Sequence, residues 1–466
     1  MIACGYATYV VVARAFTTAE FGLYGVLTSV TNVLNTVVGT GTNQGISRLV
    51  SRHPDAGPWI LTRGFWWSSF ATLGLGIGLG SSAGLIASLL RDPSLGPLLQ
   101  VAAVVPGMYA FNAIYAGYLN GVGALARQGF AIVALAVARA ALIGAAALLG
   151  YGVEGTLYGA ALAALIAAAC ARGLAGSPPG AGRLELRFTA FSRMMMSFAS
   201  VSLLLQLVLA SDILLVKSLT RGGVADEQAG LYTAAQSIAR IPYFLLLGVS
   251  QMVYPKLSAR WGGDGGVAAR ATSSFVLSGM CVILAGIMAV TLPLSDAMIR
   301  VVYPARYAES AGLLGWLLAG SAALSLAEAS LTMLSGASGP RRPAAVLAVA
   351  LVSQLALGVV LVPRHGAAGA AQATLIAAGV AALLAATSLR RLVGTALRAR
   401  LLATSIVPLC CLGALAFGWS RHAWPRLATV AFVSCAFGGY LAALWYLNAT
   451  ELRRFMAGGR DLPKPM

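Results

Sequence analysis

The sequence predicts an all-α, polytopic membrane protein of about fourteen transmembrane helices, and three observations predict it. First, 59% of the 466 residues are hydrophobic and 10% are charged, with a mean hydropathy of +0.82. An ordinary soluble domain is about 25% charged. Second, the apolar residues form long runs separated by short polar loops. Third, motifs of the first half recur in the second half in the same register.

Apolar runs long enough to cross about 30 Å of hydrocarbon define the individual helices. In chain order, they predict helices over residues 1–15, 22–42, 64–90, 97–119, 128–150, 154–171, 195–219, 229–250, 272–293, 310–335, 343–363, 366–388, 401–419 and 424–447. The first run is shorter than the roughly twenty residues a crossing needs, so a start upstream of Met1 is expected. Pro106 and Pro242 interrupt the fourth and eighth runs, where we expect kinks.

The lysines and arginines predict the orientation of these helices. Most of them lie in the loops after even-numbered helices and in the C-terminal tail. Because basic residues are retained on the cytoplasmic side, these loops and both termini are expected to be cytoplasmic. The predicted external loops are all too short to hold a catalytic domain.

An internal repeat predicts how the helices are organised. Phe21-Gly22-Leu23-Tyr24 recurs as Ala229-Gly230-Leu231-Tyr232, and residues 46–52 and 151–155 recur at 254–260 and 365–369. Equivalent helices are six apart and keep one direction, so the repeats are parallel. We expect two six-helix lobes around a central cavity, which is transporter architecture. The predicted domains are an N-terminal lobe (1–172), a cytoplasmic linker (173–193), a C-terminal lobe (194–388), and helices 13 and 14 with a cytoplasmic tail (389–466).

Composition also excludes several function classes. The net charge is +18, but the bases are scattered between apolar runs, which favours lipid headgroups over nucleic acid. The six cysteines lie in or beside apolar segments without spaced histidines, so we predict no metal site, no cofactor and no disulfide. An enzyme such as a glycan polymerase or ligase would need an outward catalytic group. His365 and His422, each beside an arginine, are the only outward candidates, and no catalytic residue is assigned.

Five charged residues remain within the predicted spans: Arg139, Lys217, Arg240, Asp212 and Glu328. A charge near the bilayer centre costs on the order of 3 kcal/mol, so each is expected to face a partner or a wet cavity. Asp212 and Arg240 have similar depths and can pair, either to fasten two helices or as a substrate-facing or ion-coupled pair. Lys217 is near the outer end of its helix and is predicted to snorkel. Glu328 is either a solvated residue near the helix end or a coupling carboxylate, and Asp212 is the other coupling candidate.

Arg139 has no acid among its neighbours in residues 131–138. An arginine in that setting indicates an aqueous cavity that admits an anion. Asn32 and Asn35 are three apart and share one helix face; amides suit sugar hydroxyls, although they also hydrogen-bond helices to each other. The predicted cavity residues are Arg139, Arg240, Asp212, Asn32, Asn35 and Gln236.

Four bases occupy matching cytoplasmic helix ends in the two repeats: Arg48 and Arg52 in the first, Lys256 and Arg260 in the second. These bases can serve only to orient the helices in the membrane. Their symmetric placement also predicts a positively charged mouth that concentrates an anionic headgroup from the cytoplasmic leaflet.

Several strings together resemble a known family. They are Ala13-Arg14-Ala15-Phe16 with residues 20–25, the Asp212 helix leading to residues 229–235, Tyr254-Pro255-Lys256-Leu257, and residues 363–371. In order and spacing they resemble the polysaccharide transporter family over most of the chain. These are oligosaccharide flippases of bacterial O-antigen, capsule and exopolysaccharide pathways. They belong to a superfamily that also contains multidrug exporters and lipid II flippases.

The resemblance implies alternating access in the bacterial cytoplasmic membrane. The implied cargo is a polyprenyl-pyrophosphate-linked oligosaccharide for cell-surface polysaccharide synthesis, with basic cavity residues mapping to Arg139, Arg240 and Arg48. Membrane lipids and the glycosyltransferases and polymerase of the same pathway are the implied partners. A multidrug or cation antiporter is the first alternative, although bases outnumber acids within the spans. A lipid II flippase stays open as the second.

Overall fold

The computed structural model describes residues 2–177, 180, 182–185, 187–220, 224–248, 250, 267–393, 397–422 and 424–449. These residues are helical almost throughout and contain no β-strand, which confirms the all-α fold. The helices are α1 (Ile2–Ala15), α2 (Thr18–Asn35), α3 (Gly41–Arg52), α4 (Gly57–Leu89), α5 (Leu95–Ala102), α6 (Val105–Gly121), α7 (Leu125–Leu148), α8 (Gly152–Ala175), α9 (Phe188–Leu219), α10 (Ala225–Ala239), α11 (Val267–Thr291), α12 (Ser295–Val302), α13 (Ala311–Ser338), α14 (Arg341–His365), α15 (Ala367–Val393), α16 (Ala399–Ser420) and α17 (Arg426–Leu447).

Twelve helical segments of the described chain are long and apolar enough to cross a membrane. The first predicted helix, 1–15, corresponds to α1, which has only 14 residues. The eighth, 229–250, is divided at Arg240 into α10 and a helical stretch over 241–248. The polytopic fold is therefore confirmed, while the count of fourteen spans stays a prediction.

The second span is one long helix with an irregular centre. A capping box starts α2: the Thr17 hydroxyl accepts a hydrogen bond from the Glu20 N–H, and the Glu20 carboxylate accepts one from the Thr17 N–H at 2.8 Å. A π-helical segment, Thr36–Thr40, then joins α2 to α3. Such wide turns are rare and often occur at functional sites.

Pro106 explains the break in the fourth predicted span. α5 ends at Ala102, residues 103–104 form a turn, and α6 begins at Val105 with Pro106 in its first turn. Proline is tolerated there because a first-turn N–H has no intrahelical acceptor. The predicted interruption of this span at Pro106 is confirmed.

The chain divides into two compact units. The first comprises Met1–Ala234 and Leu351–Ala373, and the second comprises Ala235–Ala350 and Thr374–Met466. These boundaries follow packing, whereas those of the predicted lobes follow the repeat. The division at 1–172, 173–193, 194–388 and 389–466 therefore stays a prediction.

Small residues allow close helix packing within the first unit. A Cβ on Gly159 of α8 would lie 2.9 Å from the carbonyl oxygen of Leu142 in α7. Ala163, Ala164 and Ala167 of α8 are fully buried. Close backbone approach over small residues is how membrane helices associate, because apolar side chains gain little by leaving lipid.

The two glycines of the repeat form a helix crossing in the same unit. A Cβ on Gly22 of α2 would collide with the backbone of Asp226 and Gly230 in α10. A Cβ on Gly230 would in turn collide with the carbonyl of Thr18. Since Thr18 and Asp226 are also repeat equivalents, each copy makes the same contact with the other. α2 and α10 thus meet about a local two-fold axis, as parallel repeats require.

In the second unit, α16 and α17 pack against α11. The Tyr440 hydroxyl of α17 donates a 2.8 Å hydrogen bond to the carbonyl of Val282, and its ring lies against Gly286. Leu412 and Ala416 of α16 join the same buried cluster.

Candidate functional site

Three of the predicted cavity residues lie around one small cavity of the first unit, the Arg139 cavity. It is bordered by α2, α6, α7 and α8 and holds about 20 Å³, room for about one water molecule. Its lining comprises Tyr24, Thr28, Thr31, Asn32, Asn35, Val105, Tyr109, Arg139, Ile143, Thr156, Leu157 and Ala160. The shared helix face predicted for Asn32 and Asn35 is consistent with both lining this cavity.

The groups nearest to the Arg139 guanidinium are phenols. The hydroxyls of Tyr109, Tyr24 and Tyr9 are the groups that interact with it electrostatically, and Tyr24 and Tyr109 line the same cavity. Among the described residues, no carboxylate lies within ion-pair distance of it. Within the described part of the chain, the cation therefore lies beside neutral hydroxyls, and no carboxylate there compensates its charge.

Polar atoms with unused hydrogen-bonding capacity also lie at this cavity. The Asn35 side-chain oxygen and the Tyr109 hydroxyl are buried and find no hydrogen-bond partner within the described part of the chain. Buried polar groups in native proteins normally have partners. An entering ligand or water with hydroxyl and anionic oxygens would satisfy them together with Arg139.

The position of the Lys217 side chain contradicts the prediction that it extends to the membrane surface. Its side chain is only 2% exposed, and its ammonium is paired with two carboxylates, Asp92 at 2.6 Å and Asp226. We call these three residues the Lys217 triad. Asp92 lies between α4 and α5, Asp226 in the first turn of α10, and Lys217 in the last turn of α9. The triad therefore joins the first repeat to the second at the end of the bundle predicted to face outward.

Asp92 lies in the loop between two spans, and its environment favours the charged form. Burial disfavours ionisation, but hydrogen bonds from Lys217 and Ser94 and the Lys217 charge outweigh it, so the pKa of Asp92 lies below its usual range. The Ser94 hydroxyl and N–H both donate to Asp92, at 2.6 and 3.0 Å. The triad is thus a charged, hydrogen-bonded structural contact.

Asp212 is buried in α9, away from the lining of the Arg139 cavity. Its carboxylate accepts a 3.0 Å hydrogen bond from the Tyr232 hydroxyl and a 2.7 Å bond from the Ile213 N–H. Tyr232 is the repeat equivalent of Tyr24. One copy of this tyrosine interacts with a cation, Arg139, and the other with an anion, Asp212. The ion pair of Asp212 with Arg240 stays a prediction.

The second unit holds a separate polar cluster of Arg240, Tyr243 and Glu328. The Tyr243 hydroxyl and the Glu328 carboxylate interact, and Arg240 lies near Tyr243. One Glu328 oxygen is buried without a hydrogen-bond partner among the described residues. Glu328 lies ten residues before the end of α13 and is partly buried, and both of its predicted roles stay predictions. Gln236, at the end of α10, is also buried.

The predicted cytoplasmic mouth is described only in part. Arg48 and Arg52 are exposed in the last turns of α3. Lys256 and Arg260 lie outside the described residues, so the matched set of four stays a prediction.

Sequence reasoning missed the hydroxyl groups of the cavity. Tyr24 was visible as part of the repeated Gly-Leu-Tyr motif, but a tyrosine in an apolar span gives no sign of which helix it faces. Tyr109 lies three residues after Pro106, and only the break before α6 fixes the direction of that helix.

Several solved structures of membrane transporters have a similar fold. The lipid II flippase MurJ in an inward closed conformation superposes with a TM-score of 0.75 at 14% identity, covering 97% of each chain. An inward-facing multidrug resistance transporter of the MATE family, from the MOP superfamily, gives 0.70 at 14% identity, covering 84% of this chain and 95% of that one. A MOP superfamily transporter from Pyrococcus furiosus, described as having a binding pocket of reversed polarity, gives 0.62 at 16%, covering 84% and 91%. None of the curated proteins matches this chain by sequence.

The family is shown by sequence. The polysaccharide biosynthesis protein family matches residues 2–261, more than half of the chain. This protein belongs to that family, which confirms the resemblance seen in its motifs.

Proposed function

We propose that this protein is a flippase that moves a polyprenyl-pyrophosphate-linked oligosaccharide across the bacterial cytoplasmic membrane by alternating access. The observation that carries the proposal is the Arg139 cavity, where a cation that has no carboxylate partner among the described residues lies among hydroxyl and amide groups. A guanidinium binds pyrophosphate oxygens through charge-assisted hydrogen bonds. Hydroxyls and amides suit the sugars.

The size of the cavity supports a conformational step. About 20 Å³ holds a water molecule but no sugar or pyrophosphate, so the described state is closed to substrate. Binding therefore requires the surrounding helices to separate, and alternating access supplies that movement. No covalent chemistry is needed, and the family and the fold are those of transporters.

Replacing Arg139 tests the proposal. In proteoliposomes with a fluorescent polyprenyl-pyrophosphate disaccharide, Arg139→Met is expected to lower the flipping rate by at least about tenfold, because one charge-assisted hydrogen bond contributes about 1.5–3 kcal/mol. Arg139→Lys, the matched control, keeps the charge and should retain part of the rate. Normal flipping by Arg139→Met would remove the cavity from the mechanism.

Two alternatives are separated by the same assay. A cation exporter is disfavoured because a cationic substrate would be repelled by Arg139. A lipid II flippase is favoured by the likeness to MurJ over 97% of both chains. If the proteoliposomes flip lipid II and not other lipid-linked oligosaccharides, the second alternative replaces the proposal.

Glu328 is the coupling carboxylate we propose, with Asp212 as the second candidate. One Glu328 oxygen is buried without a described partner, a position that a proton can occupy. Asp212 already has Tyr232 and a backbone N–H. With an imposed pH gradient, Glu328→Gln should flip at a rate that no longer responds to the gradient. Glu309→Gln, on an exposed residue just before α13, is the control, and an unchanged response in Glu328→Gln would exclude the role.

The pathway's glycosyltransferases and polymerase are the proposed partners. Both termini are proposed to lie in the cytoplasm, following the distribution of basic residues.

A further inference from the structure

A groove lies on the surface of the first unit, beside the Arg139 cavity. It has a volume of about 420 Å³, in the range of small-molecule pockets. One wall is residues 97–105, from α5 to the start of α6, and the other is Leu157, Tyr158 and Ala161 of α8. Apart from Gln100 and the Tyr158 hydroxyl, the side chains that line it are apolar.

The break at Pro106 shapes this groove. α5 and α6 are separated by the turn at residues 103–104, so their shared span is bent where it passes α8. Val104 in that turn is 55% exposed and Tyr158 is 57% exposed. Both walls belong to helical segments that are long and apolar enough to cross a membrane, a setting in which an exposed apolar groove can accept a hydrocarbon chain.

The groove and the Arg139 cavity share two residues. Val105 and Leu157 line both, and each is buried. The pair therefore forms a thin aliphatic wall, with a cation and polar groups on one side and an exposed apolar groove on the other. A molecule with an anionic head and a long hydrocarbon chain matches the two compartments.

We propose that the groove holds the isoprenoid chain of the lipid-linked substrate while its pyrophosphate and sugars occupy the Arg139 cavity after the surrounding helices have separated. This rests on the proposed function and adds where the chain lies. A hydrocarbon chain gains little free energy by moving from lipid to an apolar groove. The groove acts instead by position: it keeps the head beside the cavity and raises its local concentration there.

Filling the groove tests this. Ala161→Trp places an indole in it, and Leu162→Trp, on the neighbouring residue that is 48% exposed and outside the groove lining, is the matched control. Ala161→Trp is expected to lower flipping of the polyprenyl-pyrophosphate disaccharide roughly tenfold, as expected for a lost positional advantage. Binding of the same disaccharide pyrophosphate carrying a methyl group in place of the chain should not change. Leu162→Trp should flip as the wild type does.

Photo-crosslinking covers the case in which Ala161→Trp fails to fold. Benzoylphenylalanine replaces Gln100, which is exposed in the groove, and in a second variant it replaces Leu162. The probe at Gln100 should capture the sugar-bearing lipid well above the level at Leu162. Three outcomes would overturn the proposal that the groove holds the isoprenoid chain: equal capture at both positions, capture of phospholipid alone, or wild-type flipping by folded Ala161→Trp. None of them would contradict the flippase proposal. A wild-type protein that neither flips nor binds the lipid-linked disaccharide overturns the flippase proposal itself.

Discussion

Arg139 and Lys217 are two cations within the helices of the same unit, and their surroundings differ. Lys217 has two carboxylates, one from the loop after α4 and one from α10. Arg139 has tyrosine hydroxyls and no carboxylate within the described residues. The comparison teaches that a charge in a membrane span is not by itself a sign of function. What matters is whether the protein supplies the counter-charge, because only an uncompensated cation is available to an anionic ligand.

The largest expected difference between the two cations is in stability. Lys217→Met leaves Asp92 and Asp226 without their cation, and losing one partner of a buried ion pair costs about 3–5 kcal/mol. Asp226 is 32% exposed, so we expect a loss near the lower limit, about 3 kcal/mol. Arg139→Met breaks no ion pair and should change the free energy of unfolding by less than about 1 kcal/mol. Denaturant unfolding in detergent measures both, and equal losses would contradict the distinction.

A second experiment separates the charge of the Lys217 triad from the helix crossing beside it. Gly22→Ala puts a methyl group against the backbone of Asp226 and Gly230, and overpacking of this kind costs about 1–3 kcal/mol. A methyl group on Gly80 of α4 meets open space, so Gly80→Ala is the control and should be neutral or slightly stabilising. If Gly22→Ala unfolds like the wild type, α2 and α10 are not in close contact.

The smallest effect expected is a dependence on pH. The folded-state pKa of Asp92 is depressed, so its contribution is complete above the unfolded value of about 3.9 and is lost as pH falls through the lower folded value. Between about pH 5 and pH 3, the wild type should lose stability faster than Asp92→Asn, which has no carboxylate to protonate. Parallel unfolding curves for the two proteins would show that Asp92 is not paired in solution.

Much of the fold could be predicted because a membrane helix is recognised from a continuous stretch of sequence. Apolar runs locate the spans, and Pro106 alone indicates the break between α5 and α6. The meeting of Asn32, Asn35 and Arg139 was partly predictable. A three-residue spacing fixes a shared helix face, and an arginine without a local acid indicates a wet cavity.

The Lys217 triad could not be predicted, since Asp92 lies 125 positions from Lys217. The sequence around a loop carboxylate does not indicate how deeply its side chain is buried or which helix it contacts. The tyrosines of the Arg139 cavity were missed for a related reason. Side-chain direction depends on how α2 and α6 are rotated in the bundle, and packing against other helices sets that rotation.

The reciprocal contact of Gly22 and Gly230 constrains the duplicated sequence itself. At a local two-fold axis each residue faces its own counterpart, so a larger side chain in either copy meets the backbone of the other. Positions far from the axis face unrelated neighbours and are free to diverge independently. The Gly-Leu-Tyr motif is therefore present in both halves because, at this crossing, the backbone of each half limits the size of the side chain in the other.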